Sequence, residues 1–238
     1  THSKNSRLAM KVDLHLHTTA SDGKLTPREV VYSAAKLGFS LIAITDHDSA
    51  DGIPSALTAA RAFPNLLVIP GIEINADLPP NEIHILGYFI DCANSELRST
   101  LQWLRDLRWK RAAKMVAKLG TLGIDVDWHA VQELAQDAPI GRPHIAQALL
   151  ERGYVSPIKE ALVKYIGQGR PAYVEHMRLT PVEAVKLIRE AQGLPVLAHP
   201  AGISNLDELL DELKNTGLVG LEAFYGGYSS DIIIKSLS

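Results

Sequence analysis

The segment Val12-Asp13-Leu14-His15-Leu16-His17 decides how this chain folds and where its chemistry lies. Apolar and polar residues alternate along it with the period of a β-strand, so we predict a strand over residues 12–17. Residues two apart in a strand face the same side, so the two imidazoles emerge together. Neutral imidazole ligates zinc, manganese and iron, and Asp13 could accept the second ring N–H. Taken alone, the His15/His17 pair fits a metal site and a structural role equally well.

The composition is that of an ordinary globular enzyme. With 238 residues the chain can bury one sizeable core, or one core with a helical insertion. The formal net charge of -3 gives no general attraction to nucleic acid or membranes. The single cysteine, Cys92, excludes an internal disulfide and fits a reducing compartment. No apolar run approaches the roughly 18 residues of a membrane span. Residues 1–7 lack the apolar stretch of a signal peptide, so we expect a cytoplasmic protein.

Short apolar strands alternate with helices at both ends of the chain, and a helix-rich middle separates them. Further strands are predicted over 41–45, 66–74, 83–90, 195–198 and 219–224, with early helices over 27–37 and 53–62. This alternation implies parallel strands joined by right-handed crossovers. Middle helices are predicted over 95–122, 127–136, 143–152, 157–166 and 181–191. We therefore expect a small α/β barrel of residues 8–93 and 193–238, interrupted by a mostly helical insertion over 94–192.

Histidines and carboxylates recur at the ends of the predicted strands: His15, His17, His47, Glu73, His84 and His199. In α/β barrels the strand ends build the active site, so we expect these side chains to converge. Uncompensated, such buried groups would cost on the order of several kcal/mol each, which a metal would offset. A set without thiolates is typical of a catalytic zinc, manganese or iron site. It is too large for one ion and fits two or three ions that share a bridging carboxylate, which predicts phosphoester hydrolysis.

Several motifs in register resemble a known family. They are His15-Leu16-His17 with Ser21-Asp22-Gly23, then Thr45-Asp46-His47-Asp48, Gly71-Ile72-Glu73, His84-Ile85-Leu86-Gly87 and Ala198-His199-Pro200. In their order and spacing, from about residue 10 to residue 225, the chain resembles the polymerase and histidinol phosphatase (PHP) family. Gly141-Arg142-Pro143-His144 and Gly169-Arg170-Pro171 further resemble its stand-alone branch. Members of that branch dephosphorylate 3′,5′-nucleoside bisphosphates or remove nucleotides stepwise from the 5′ end of short RNA.

The resemblance implies a distorted seven-stranded barrel and up to three divalent metals. Carried over residue by residue, it assigns His15, His17 and Glu73 to the first metal, Glu73 as a bridge with His84 and His199 to the second, and Asp22 and His47 to the third. Glu73 and His199 are the predicted catalytic residues. Asp22 has a second interpretation, an Asp-Gly turn before a helix. Asp13, Asp46 and Asp48 are interpreted as residues that orient ligands or form turns.

One departure from the family concerns the end of the sequence. The family carries a late Asp-x-His after its final strand, with the Asp on the first metal and the His on the third, and this sequence reaches Ser238 without it. Either the sequence is a truncated piece or a natural variant has lost its last barrel unit. We expect truncation, with the last strand missing, because Ile232, Ile233, Ile234 and Leu237 are typical of a core-facing helix cut short.

Arginine is the side chain best suited to hold a phosphate. Arg142 and His144 lie in a Gly/Pro-flanked turn that opens a helix, whose N–H groups would add to anion binding. Arg170 is a weaker candidate of the same kind. A basic run on the long middle helix is typical of a solvated face and could also guide a short oligonucleotide: Arg105, Arg108, Lys110, Arg111, Lys114 and Lys118. Trp103, Trp109 and Trp128 are interpreted as insertion core, and His2, His129 and His176 as surface residues.

The sequence thus predicts a metal-dependent phosphoesterase that acts on a small nucleotide or on the 5′ end of a short RNA. Two or three ions of manganese, zinc or iron would be its cofactors, and Arg142 and His144 would neutralise the substrate phosphate. Two alternatives stay open: a histidinol-phosphate phosphatase, and a non-catalytic module that uses residual metal for stability. No membrane and no stable protein partner is expected.

Overall fold

The computed structural model describes residues 10–79, 81–135, 140–175, 178–226 and 228–237. Its strands are β1 (Lys11–Leu16), β2 (Phe39–Ile44), β3 (Leu67–Leu78), β4 (Asn81–Tyr88), β5 (Leu194–Leu197) and β6 (Gly220–Leu221). Its helices are α1 (Pro27–Lys36), α2 (Ile53–Ala60), α3 (Ser95–Thr121), α4 (Trp128–Ala135), α5 (Arg142–Glu151), α6 (Lys159–Ala161, continued by a π-helical turn over Leu162–Ile166), α7 (Pro181–Glu190), α8 (Leu206–Thr216) and α9 (Ser230–Leu237). None of the helices in these ranges is both long enough and apolar enough to cross a membrane.

The six strands form one curled sheet, a half-barrel, in the order β1-β2-β3-β4-β5-β6. This confirms the predicted α/β class and barrel-like architecture. The expected parallel pairing is wrong around β4, which pairs antiparallel with both β3 and β5, whereas the other pairs are parallel. Only two residues separate Leu78 from Asn81. So short a connection allows a hairpin and excludes a crossover helix.

Strand β3 pairs with two different strands along its length. Its first residues, Leu67 to Pro70, pair with β2, and the rest, Gly71 to Leu78, pair with β4. Glu73 and His84 therefore lie inside long strands. The sequence pattern had placed both at the ends of predicted strands. The hairpin still brings them to one place, because Glu73 and His84 lie only two register positions apart.

Of the three hydrophobic cores in the described residues, one packs α1 and α2 on β2, and the other two extend along α3. One of these two joins the sheet to α7, α8 and the first half of α3, with Ile74 and Leu104 among its buried side chains. The other joins the second half of α3 to α4 and α5, with Met115 and Leu149 fully or almost fully buried. Helix α7 packs on β3, β4 and β5 although it falls inside the predicted insertion. The division of the chain at 94 and 192 stays a prediction, and the two cores meet within α3.

Candidate metal centre

The carboxylate of Glu73 is the centre of a ring of five imidazoles, and its side chain is 1% exposed. Its Oε2 atom lies 3.1 Å from His15 Nε2, 3.2 Å from His17 Nε2 and 3.1 Å from His47 Nδ1. Its Oε1 atom lies 2.9 Å from His84 Nδ1 and 3.2 Å from His199 Nε2. One carboxylate thus faces nitrogens from β1, β4 and the loops after β1, β2 and β5.

The backbone explains why His47 reaches Glu73. The loop after β2 continues along β3 as an isolated parallel bridge between His47 and Glu73. The N–H of Asp48 donates to the carbonyl of Glu73 at 2.9 Å, and the N–H of Glu73 donates to the carbonyl of Asp46 at 3.2 Å. These bonds fix the loop in register with the strand, so the imidazole of His47 is held beside the carboxylate.

Asp22 joins the cluster from the turn after β1. Its Oδ1 lies 3.3 Å from His17 Nδ1 and its Oδ2 lies 3.9 Å from His47 Nε2, while its side chain is 55% exposed. The next residue must be glycine, because a Cβ on Gly23 would lie 2.4 Å from the carbonyl oxygen of His17. The Asp-Gly turn is therefore also present, and it is what brings Asp22 against the end of β1.

The neighbouring aspartates fasten the loops around the cluster. Buried Asp46 accepts hydrogen bonds from the backbone N–H of Thr18 at 2.6 Å, from its hydroxyl at 2.7 Å and from the Ser21 hydroxyl at 2.6 Å. Asp48 accepts two bonds from Asn75, at 3.0 and 2.9 Å, and forms an ion pair with Arg108 of α3. These residues hold turns in place, as the sequence indicated.

Sequence reasoning missed Glu222, which follows β6. Its Oε1 lies 3.0 Å from His15 Nδ1, and its Oε2 accepts the backbone N–H of His199 at 2.9 Å. The expectation that Asp13 takes the ring N–H of His15 is wrong, because Asp13 accepts the backbone N–H of His15 instead, at 3.2 Å. The available signal was a carboxylate directly after a strand, because polar side chains at strand ends build the active site of α/β barrels. His47 and His199 are identified by the same argument.

The cluster shifts the pKa values of its members in opposite directions. Burial disfavours the charged form of His15, but the close carboxylates of Glu222 and Glu73 outweigh burial and raise its pKa to about 10. In the same way Glu73 and Glu82 outweigh burial at His84 and raise its pKa to about 9. Burial dominates at His47 and lowers its pKa to about 4. The pKa of Glu73 lies far below its usual range because the surrounding imidazoles overcome its burial.

These residues fit divalent metal ions. Among the described atoms, His47 Nδ1 and Glu73 Oε2 are buried without a hydrogen bond of acceptable geometry, although they lie 3.1 Å apart. Such buried polar atoms are costly unless an ion or another partner compensates them. Imidazole and carboxylate donors without thiolates suit catalytic zinc, manganese or iron. Ligand atoms lie within 4.8 Å of one another in three groups: His15, His17 and Glu73; His17, Asp22 and His47; and His47, Glu73 and His84.

A cleft of about 210 Å³ opens beside the cluster. Asp22, His47 and His84 line it. Four arginines line it as well, and we call them the arginine wall: Arg108, Arg111, Arg142 and Arg178. Arg108 is paired with Asp48, and Arg178 pairs with Asp77 at 2.9 Å and with Glu82 at 2.7 Å. The wall therefore offers more positive charge than the acidic side chains beside it neutralise.

Two of the wall arginines lack a close carboxylate among the described residues. Arg142 NH2 comes no nearer than 4.0 Å to Glu82 Oε2. Arg111 donates from Nε to the carbonyl of Val174 at 2.8 Å and lies over the ring of Tyr173, with no acidic partner in the described ranges. Burial, together with the nearby Arg142, lowers the pKa of Arg111 to about 10. Crowded like charges of this kind favour a bound anion.

The predicted substrate residues are placed differently from one another. Arg142 opens α5 directly after Gly141, as expected, and lines the cleft. His144 accepts the N–H of Gly141 on its Nδ1 at 3.0 Å and lines an adjoining pocket of about 70 Å³ with Asp22 and His47. Arg170 is exposed and is not among the residues that line either pocket.

The basic run on α3 is not a uniformly solvated face. Arg108 and Arg111 belong to the arginine wall, Arg105 pairs with Asp51, and Lys118 donates to the carbonyl of Tyr173 at 2.7 Å. Lys110 and Lys114 are exposed. The run therefore mainly attaches α3 to its neighbours and faces the cleft.

The interpretation of the tryptophans as core is wrong for two of them. Trp103 is 42% exposed and Trp109 is 45% exposed, because both lie on faces of α3 that turn away from the two cores. Trp109 meets Trp128 edge-on, with ring centroids 5.4 Å apart. His129 is exposed beside Glu133, and His2 and His176 lie outside the described residues.

Comparison with known proteins agrees with this geometry. The 3′,5′-nucleoside bisphosphate phosphatase of Chromobacterium violaceum is 33% identical over 229 residues, which are 94% of this chain and 80% of that protein. The 5′-3′ exoribonuclease Rnm of Salmonella typhimurium is 35% identical over 197 residues, 82% of this chain and 67% of that protein. A solved structure from Bifidobacterium adolescentis, provisionally described as a metal-dependent phosphoesterase, superposes with a TM-score of 0.85 at 30% identity, covering 96% of this chain and 82% of that one.

The PHP domain profile matches residues 13–192, which contain every predicted metal ligand except His199. The relatives are named as a nucleoside bisphosphate phosphatase and an exoribonuclease, so neither the non-catalytic module nor the histidinol-phosphate phosphatase is favoured. The His/Glu/Asp cluster and the metal dependence ascribed to the solved relative both indicate divalent metal ions. The chain therefore belongs to the PHP domain family and is a metal-dependent phosphoester hydrolase.

Proposed function

We propose that the protein hydrolyses a phosphoester of a small nucleotide, or of the terminal nucleotide at the 5′ end of a short RNA. The observation that carries this proposal is the position of the arginine wall, which lines the same cleft as Asp22, His47 and His84 of the cluster. At about 210 Å³ the cleft is smaller than the roughly 300–1,000 Å³ of a drug-sized pocket. It therefore suits the phosphorylated end of a nucleotide and not a folded RNA.

The proposed metal ligands are the seven residues of the sequence prediction: His15, His17, Asp22, His47, Glu73, His84 and His199. Glu73 would bridge two sites, since its two oxygens face different imidazoles. Two or three ions of manganese, zinc or iron fit this donor set. When bound, such ions supply Lewis-acid polarisation of a phosphoryl oxygen and an activated water near neutral pH.

The remaining steps belong to side chains of this chain. Arg142 and Arg111 would bind phosphate oxygens, since neither has a close acidic partner among the described residues. Because His144 Nδ1 accepts the Gly141 N–H and burial lowers the pKa of its ring, a neutral His144 keeps Nε2–H as a donor to the substrate. Glu82 pairs with Arg178 and would hold that guanidinium in the wall. Arg170 lies outside the cleft lining and is not included.

The test is hydrolysis by the full chain loaded with Mn²⁺, offered a 3′,5′-nucleoside bisphosphate and, separately, a 5′-phosphorylated RNA oligonucleotide. We expect phosphate release or stepwise shortening that disappears with EDTA and in Glu73→Ala. Direct competition between the two substrates ranks them. Cleavage of neither substrate, or full activity in Glu73→Ala, would contradict the proposal.

A further inference from the structure

We propose that Glu222 positions His15 and the backbone of His199 for metal binding, which makes it a positioning residue and not a ligand. The inference rests on the metal-binding part of the proposed function. Glu222 lies outside residues 13–192, the part of the chain that the family profile matches. Its two oxygens serve two different parts of the cluster, at 3.0 Å from His15 Nδ1 and 2.9 Å from the His199 backbone nitrogen.

The location of Glu222 allows one side chain to link the two ends of the sheet. His15 lies on β1, the first strand in the sheet order, and Glu222 follows β6, the last. The backbone N–H of Glu222 donates to Leu197 of β5 at 2.8 Å, which anchors the residue beside the loop that carries His199. Because the half-barrel has no strand pairing between β1 and β6 in the described ranges, this carboxylate supplies a hydrogen-bonded connection across that opening.

The contact with His15 decides which ring nitrogen is left for a metal. A carboxylate accepts only, so Nδ1 of His15 must be the donor. The other nitrogen, Nε2, then faces Glu73 Oε2 at 3.1 Å, on the side of the candidate ligand groups. Carboxylates that take the outward N–H of a ligating histidine fix its orientation and strengthen it as a ligand.

The contact with His199 holds an unusual backbone conformation. His199 has a φ of +29°, within the left-handed range that side-chain-bearing residues rarely adopt. The bond from its N–H to Glu222 Oε2 supports that conformation, in which Nε2 lies 3.2 Å from Glu73 Oε1. The Glu222 side chain is 11% exposed, and no lysine or arginine in the described part of the chain pairs with it. Both hydrogen bonds described for its carboxylate therefore go to members of the cluster.

Glu222→Gln tests the role because the amide cannot satisfy both contacts. If its oxygen accepts from His15, its NH2 group meets the N–H of His199, and if it is flipped, the NH2 group donates to His15 Nδ1 and leaves Nε2 protonated. We expect Mn²⁺ titrated into the metal-free full chain to bind about 10- to 100-fold more weakly by calorimetry. Glu208→Gln, the same change on the exposed face of α8, is the matched control and should bind like the parent protein.

A double-mutant cycle separates positioning from a general structural effect. In the His15→Ala background, Glu222→Gln should weaken Mn²⁺ binding by much less than it does alone, because its main target is gone. Unchanged affinity in Glu222→Gln, or full additivity with His15→Ala, would overturn the proposal. None of these titrations contains substrate, so a failure of phosphoester hydrolysis would leave their result intact.

A measurement on the unsubstituted protein keeps the proposal testable if the variants do not fold. In the Zn²⁺-loaded chain labelled with ¹⁵N-histidine, NMR should find the proton of His15 on Nδ1 and the metal-shifted resonance on Nε2. A proton on Nε2, or no metal-induced shift at His15, would refute the assignment.

Discussion

The histidine cluster and the arginine wall border the same cleft but are built in opposite ways. In the cluster, nitrogens from several strands and loops already surround one buried carboxylate. On the wall, Arg111 and Arg142 have no close carboxylate among the described residues. The cluster is thus prearranged around Glu73 before anything binds, whereas the wall is completed only by an anion. The difference indicates that metal binding and phosphate binding can be disrupted separately.

The largest effect on the difference between cluster and wall is expected when the charge of Glu73, at the centre of the cluster, is removed. Glu73→Gln keeps the side-chain shape but removes the charge that five imidazoles face, so metal binding should be lost. We expect activity to fall by more than the roughly 10- to 100-fold cost of losing an outer partner of a metal ligand. Metal per chain after dialysis, measured by mass spectrometry, checks this, with Glu208→Gln as control. Retained metal would show that the imidazoles alone suffice.

Weakening the core behind the wall should affect the wall and spare the cluster. Leu149 of α5 is fully buried in the second core, on the helix that begins with Arg142. Leu149→Ala should lower the free energy of unfolding by about 2–5 kcal/mol. Urea denaturation measures the loss, and metal per chain should stay at the parent value. Loss of metal together with stability would mean that the two cores unfold as one unit.

Removing a free charge from the wall should weaken substrate binding without changing metal content. Arg111→Gln removes charge-assisted hydrogen bonds to the phosphate, each worth about 1.5–3 kcal/mol. We therefore expect a rise in KM of roughly 10- to 100-fold at unchanged metal per chain. Lys110→Gln, the exposed cation beside it on α3, is the matched control. An equal effect of both variants would point to the general charge of the helix instead.

The smallest expected effect is on the pH dependence of stability, at the start of helix α7. Glu183 of α7 accepts hydrogen bonds from the backbone N–H and hydroxyl of Thr180, and these bonds lower its pKa. Because the folded pKa lies below the unfolded one, the stabilisation is present above about pH 4.5 and is lost as the pH falls through the folded pKa. Glu183→Gln should therefore be less stable at pH 7 and lose less stability between pH 5 and pH 3. Urea midpoints across that range measure it, and an identical pH slope in both proteins would contradict it.

Strand periodicity accounts for what the sequence could predict of the cluster. Alternation placed His15 and His17 on one face, and the motifs after the neighbouring strands supplied His47 and His199. The arginine wall depends on how α3 packs against α5 and the sheet, so Arg178 was missed and Arg111 was recognised only as part of a basic run on α3. Glu222 was missed because the predicted strand over 219–224 placed it inside a strand, whereas β6 ends at Leu221 and leaves Glu222 at the strand end. The antiparallel β4 was missed although the short connection after Leu78 signals a hairpin.

The rigidity of helix α3 affects how substrate reaches the cleft. It runs unbroken for 27 residues, about 40 Å at 1.5 Å per residue, with Leu104 in one core and Met115 in the other. Residues 105–111 contain neither glycine nor proline, the usual sites of a sharp bend. A continuous helix of this kind holds Arg108 and Arg111 at fixed positions. It provides no hinge within residues 105–111 about which the two cores could close. We therefore expect substrate to enter and leave the cleft without a change in the relative position of the two ends of α3.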